Sequence, residues 1–114
     1  MDKAVLNRQI LLEVLHEYLE RRKKNPDDGV RIVPVFDEEH DNYEIKKIGW
    51  RNKRRISFTV FFFSIADDGK IWVQVNASDY DIVGDLEEKG VTKSDIVLAF
   101  HAPHLRPYTG YAVA

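Results

Sequence analysis

Residues 54–65 read Arg-Arg-Ile-Ser-Phe-Thr-Val-Phe-Phe-Phe-Ser-Ile, and no other stretch limits the fold of this chain as much. Strand alternation divides them into Ile56, Phe58, Val60 and Phe62 on one face and Ser57, Thr59, Phe61, Phe63 and Ile65 on the other. Apolar groups on both faces predict a central strand. A central strand needs a neighbour along each edge, and the flanking turns supply them. Residues 51–53 form a turn from a strand over 43–50, which ends at Gly49-Trp50. Beyond the central strand, Asp67-Asp68-Gly69 is a tight-turn signal, because Gly readily takes a positive φ, and it leads into a strand over 70–76. Further upstream, Val30, Ile32, Pro34 and Phe36 alternate with Arg31, Val33, Val35 and Asp37. Pro34 cannot donate to a ladder, which places this first strand at a sheet edge. An acidic turn, residues 38–42, joins it to the second.

The sheet needs cover, and the N-terminus provides it. Between Lys3 and Lys24, the rows Ile10, Val14, Tyr18 and Leu11, Leu15, Leu19 recur at spacings of four, which puts both on one side of a helix. Asp2 is the expected N-cap, Arg21 to Lys24 set cations against the negative end of the macrodipole, and Asn25-Pro26 stops the helix. Residues 81–89 predict a short helix ending at Gly90, with Ile82, Val83 and Leu86 inward, and a last strand covers 95–100. The ending, with Tyr108, Tyr111 and Val113, suggests a docked terminus. The expected fold is α+β: a mainly antiparallel sheet of four to five strands in meander order, a long N-terminal helix, and a short helix in the C-terminal half. Residues 1–114 form one domain, since 114 residues suffice for a single core.

Charge narrows the function classes. Seventeen Lys and Arg against nineteen Asp and Glu leave −2, so the whole-molecule field offers no general attraction to nucleic acid or an anionic membrane. Absent cysteine excludes disulfides, thiolate metal sites and Cys nucleophiles, and fits a reducing, cytoplasmic setting. Residues 1–8 lack a leader pattern, and no apolar stretch approaches the roughly 20 residues of a membrane span.

Catalytic patterns are not prominent. His101 and His104 could share a metal if His40 or Asp81 joined them, but Pro103 between them disfavours the helix that would align two imidazoles. The carboxylates of Asp37, Glu38, Glu39, Asp41, Asp67 and Asp68 fall in turns, where acids are usually solvated, and carboxylate density alone carries no reaction geometry. The serines lack a Gly-x-Ser-x-Gly elbow, and there is no Gly-rich phosphate loop. The expectation is a protein that is not an enzyme, with no cofactor and no metal. The best local binding feature is Trp50-Arg51-Asn52-Lys53-Arg54-Arg55, where Trp50 accompanies the cations Arg51, Lys53, Arg54 and Arg55. It can grip phosphates while the ring stacks on a base or on a neighbouring guanidinium. The alternative is a solvated hairpin whose Arg54 and Arg55 pair with Glu44 or other acids across the sheet.

Several runs taken together suggest a family. Gly49-Trp50, Arg54-Arg55, Asp68-Gly69-Lys70-Ile71-Trp72-Val73-Gln74, Gly90-Val91-Thr92-Lys93-Ser94-Asp95-Ile96-Val97-Leu98-Ala99-Phe100-His101-Ala102-Pro103 and Arg106-Pro107-Tyr108-Thr109 resemble, in that order, the XisI family, the fdxN element excision controlling factor proteins of cyanobacteria. The resemblance covers nearly the whole chain. Two departures stand out: Asn76-Ala77-Ser78-Asp79 replaces a commoner Asp-Gly-Thr-Glu-like stretch, and Thr92 stands where Pro is frequent.

The resemblance implies association with programmed excision of a DNA element during heterocyst differentiation, beside a recombinase, and companionship with XisH-like proteins that look related to nucleases. It supplies no catalytic residues. Two roles follow as expectations. In the first, the protein is a non-enzymatic accessory that binds an XisH-like partner, with Asp79, His101, His104, Arg106 and Tyr108 as a candidate partner face. In the second, it binds DNA directly through the basic turn at residues 51–55, as an architectural or directionality factor. A homo-oligomer is also expected to be accessible, through an edge strand or the segment 108–114.

Overall fold

The computed structural model describes residues 2–114. Helix α1 spans Lys3–Lys24; the Asp2 carboxylate caps it, accepting from the Ala4 N–H at 2.9 Å. At the other end the Asn25 N–H donates to the Arg22 carbonyl, and the chain turns at Pro26. Then follow β1 (Val30–Asp37), β2 (Asn42–Arg51), β3 (Arg54–Ile65) and β4 (Ile71–Asn76), an antiparallel meander with each strand beside the next. Helix α2 (Ile82–Glu88) crosses over to β5 (Ile96–Leu98), which lies parallel to β4. The fold is α+β, a five-stranded, mostly antiparallel sheet with a long N-terminal helix and a short one. Pro34 lies on edge strand β1, where its missing N–H costs no ladder bond.

Both helices occupy one face. Leu11, Val14, Leu15 and Tyr18 of α1 and Ile82 and Leu86 of α2 share a core with Tyr43, Ile45, Phe61, Phe63, Ile71, Val73 and Ile96. Tyr18 meets Phe61 edge-on, with ring centroids 5.2 Å apart, and stacks on Tyr80 ahead of α2. Fully buried aromatics such as Phe61 and Phe63 dominate this core, and truncating either to Ala typically costs about 3–5 kcal/mol.

One expectation about β3 needs correction. Ile45 pairs with Phe61, but the next residue, Lys46, pairs with Thr59, so Val60 is a bulge residue. The extra residue reverses the alternation. Ile56 and Phe58 therefore share the helix-facing side with Phe61, Phe63 and Ile65, while Ser57, Thr59 and Phe62 turn to the opposite face. Simple period-2 counting across the bulge misassigns half the strand.

The last strand is also shorter than the expected 95–100. Asp95 belongs to a 3-10 turn and pairs with Lys3 at 3.2 Å, and the His101 N–H closes a turn on the Leu98 carbonyl. The C-terminus is docked: the Ala112 N–H donates to the Ile96 carbonyl at 2.9 Å, Tyr111 Oη donates to Glu87, and Lys70 Nζ donates to the Ala114 carbonyl at 2.7 Å. This segment covers the outer edge of β5.

Candidate functional site

The β2–β3 hairpin turns on Asn52 and Lys53, both left-handed at φ 51° and 66°. Two successive positive φ values match the twist of the strands they join. The turn presents the cations differently. Arg51 is held by Asp27, whereas among the described residues Lys53, Arg54 and Arg55 have no acidic partner within ion-pair distance. Glu44 pairs with Lys46 instead, at 3.6 Å. Arg55 lies opposite Trp50 in register, its guanidinium 5.4 Å from the ring centroid, and it donates to the Gly49 carbonyl. Trp50 thus stacks on a guanidinium of its own hairpin.

Gly49 and Gly29 make a close backbone crossing beneath that ring. A Cβ on Gly49 would overlap the Gly29 carbonyl and lie 2.7 Å from Val30 Cα, so the Gly49-Trp50 pair couples a steric requirement to an exposed ring. Trp50 is 56% exposed. It belongs to the sheet face that neither helix covers, with Val33, Val35, Ile48, Phe62 and Val75, of which Val35 is 44% exposed. Arg31, beside Ile48, lines a shallow hollow there with Arg55.

At the β4–β5 side the same face carries Trp72, and Arg106 covers it with its guanidinium 5.4 Å from the ring centroid. Arg106 also donates to the carbonyls of His101 and Ala99, which fixes the 3-10 turn Pro103–Tyr108. His104 and Tyr108 project from that turn, Tyr108 at 86% exposure, and His101 packs against Phe100. Asp79 lies elsewhere in the chain, in the loop after β4, lining a hollow with Lys47, Asn76 and Ser78.

Among the described residues, the one trio of side chains placed to share a cation is Asp37, Glu39 and His40, which does not include His101 or His104. His40 Nδ1 lies 2.8 Å from Asp37, and that contact holds the Asp37 carboxyl below its usual value. Nearby is a pairing that sequence reading missed. Arg8 of α1 makes two bonds to Asp41, at 2.7 and 2.8 Å, and Tyr43 Oη adds a third at 2.9 Å. The Arg8 bonds lower the Asp41 pKa; burial, reinforced by Asp41, pushes the Tyr43 hydroxyl up to about 12. An Asp two residues before a buried Tyr is the faint signal that was there to read.

The XisI protein family matches residues 1–113. The chain belongs to the XisI family. The XisI match runs through α1, the whole sheet and the docked C-terminal segment. A XisI-like protein from Anabaena variabilis, known from its crystal structure, is 34% identical, covers 97% of this chain and 99% of its own, and superposes with a TM-score of 0.86. The fdxN element excision controlling factor XisI of Anabaena variabilis is 30% identical over 99% of this chain and 100% of its own, with a TM-score of 0.81. No curated protein matches. No helix among the described residues is long and apolar enough to cross a membrane.

Proposed function

We propose that this protein is a non-enzymatic controlling factor in the excision of a DNA element, and that it acts by binding a protein partner of the XisH-like kind. The observation that carries the reading is the helix-free sheet face. At its hairpin end the half-exposed Trp50, backed by Arg55, stands beside Ile48, and farther along the same face Val35, Phe62 and Val75 lie in the row of Glu44. An exposed Trp braced by an Arg is the kind of pair that most often carries binding energy at protein interfaces. The 3-10 turn with His104 and Tyr108 borders the face at the β4–β5 side and extends it toward a partner. The relative that is 30% identical is an excision controlling factor, which supplies the biological setting.

Co-expression with an XisH-like protein tests the reading directly. The two are expected to co-purify, and Trp50→Ala is expected to weaken the complex at least about tenfold, as for an interface hot spot. Failure of the pair to associate when co-expressed removes the proposal. A second copy of the chain would compete for the same face, and light scattering during gel filtration separates that outcome.

A second reading has its own support: Lys53, Arg54 and Arg55 stand free of acids on an exposed turn. Direct phosphate contact predicts DNA affinity that falls steeply with salt and drops when Arg54 and Arg55 are replaced by Ala. No binding at low salt sinks it.

A further inference from the structure

A groove of about 390 Å³ runs between the last turns of α1 and the helix-facing side of β1. Its apolar wall is Leu19, Ile32 and Pro34, and the side chains of Arg22, Lys23 and Lys47 add positive charge along it. Two carboxylates border it, and both are already matched within the fold: Glu20 pairs with Lys23 at 3.1 Å, and Asp27 with Arg51. Arg22 and Lys47 have no such partner among the described residues. In addition, the Nε of Arg22 is buried without an acceptor. A buried donor left unpaired is unfavourable and uncommon, so this one calls for a physical explanation.

The groove lies beside a free strand edge. The Trp50 N–H donates to the Gly29 carbonyl at 2.9 Å, which sets the alternation along β1. Arg31, Val33 and Val35 therefore bond to β2, while Ile32, Pro34 and Phe36 turn their backbone groups outward. Pro34 contributes only its carbonyl, leaving outward donors at Ile32 and Phe36.

We propose that this groove receives an extended, acidic and apolar peptide segment of a partner protein. The segment pairs with the β1 edge at Ile32 and Phe36, lays alternate apolar side chains on Leu19, Ile32 and Pro34, and brings a carboxylate to Arg22. Strand addition supplies backbone bonds, and pockets for alternate side chains supply the choice of sequence. A guanidinium fork matches a carboxylate, and the net positive lining disfavours a basic segment. The site goes beyond the docking face proposed above and lies on the opposite side of the sheet, so the two stand or fall separately.

The test is selection of random octapeptides displayed on phage against the immobilised, folded chain. Recovered peptides are expected to alternate apolar residues with Asp or Glu, and on titration to shift the amide resonances of Leu19, Ile32 and Phe36. Arg22→Met is expected to weaken them about ten- to a hundredfold, the range for losing a bond to a charged group. Lys47→Glu, on the opposite wall, weakens them in the same direction and guards against a folding defect at Arg22. Trp50→Ala leaves their affinity unchanged. The proposal is overturned if no peptide is recovered, if those recovered lack acids or ignore both charge changes, or if their shifts map to Val35 and Trp50. Saturable binding of dodecanoate at the same amides, with no peptide selected, also overturns it and assigns the groove to a small amphiphile.

Discussion

The two turns at opposite ends of β2 both place residues other than glycine in the left-handed region, yet the molecule treats them in opposite ways. At the β1–β2 turn, Asp41 at φ 55° is fastened by two bonds from Arg8 and one from Tyr43. At the β2–β3 turn, Asn52 and Lys53 have similar angles, but no side-chain bond from another element reaches either among the described residues. Left-handed backbone costs an L-residue roughly 1–2 kcal/mol. Where tertiary bonds offset that cost, the turn belongs to the fold's own stability. Where nothing offsets it, the cost stays in the fold beside three cations that no acid pairs among the described residues.

The sharpest way to break this contrast is to remove one side chain from each turn. Asp41→Ala strands the Arg8 guanidinium and the hydroxyl of the fully buried Tyr43, and is expected to destabilise by about 2–3 kcal/mol. Arg54→Ala, on an exposed residue, is expected within about 0.5 kcal/mol of the parent. Urea denaturation of both variants measures the difference, and equal losses would show that the two turns are not distinct in kind.

Acid titration sharpens the same comparison. The Asp41 carboxyl is depressed in the folded chain, first by the Arg8 bonds, so its stabilising contribution is complete above the ordinary value of 3.8 and is lost as pH falls through the lower folded value. Tyr43 shifts the other way: its contribution is complete below its ordinary value of 10 and lost as pH rises through about 12. Stability is therefore expected to hold through the neutral range and decline below about pH 3.8. Arg8→Met should shrink that acid decline without abolishing it, because Asp37 and Asp68 are also depressed, by His40 and by the Lys70 N–H. An unchanged acid limb in Arg8→Met would deny the pair its role.

Particular residues show why some of this structure was legible in the sequence and some was not. The α1 periodicity, the Asp2 cap, the edge position of Pro34 and the turn at Gly69 rest on local rules, and each appears where those rules place it. The Val60 bulge was hidden because Val60-Phe61-Phe62-Phe63 is apolar at every position, so alternation had no contrast to follow. The Arg8–Asp41 pair joins residues 33 apart in sequence, and no short spacing encodes it. The hairpin cations were visible in the sequence. That Arg55 spends its guanidinium on Trp50, rather than on Glu44, depended on the cross-strand register. The groove at Arg22 was harder still, since four consecutive cations at the end of a helix read alike until the structure separates them. Arg21 lies over Tyr80 and Lys23 pairs with Glu20, but Arg22 turns inward.

An effect smaller than the Asp41 loss distinguishes the turns most cleanly. A two-residue turn of this kind favours Gly at its second position, which Lys53 occupies at φ 66°. Lys53→Gly removes about 1–2 kcal/mol of backbone strain. It returns roughly 0.4–1 kcal/mol through the freer unfolded chain. The net expectation is a gain of about 0.5–1 kcal/mol, read from the urea midpoint. Asp41→Gly relieves comparable strain yet should lose stability, because the bonds to Arg8 and Tyr43 go with the side chain. Opposite signs for one substitution at two left-handed positions would establish that Lys53 is kept against the preference of its own backbone, and so for its charge. If Lys53→Gly is less stable than the parent, the lysine is part of the fold and the hairpin loses its claim to be a surface held open for binding.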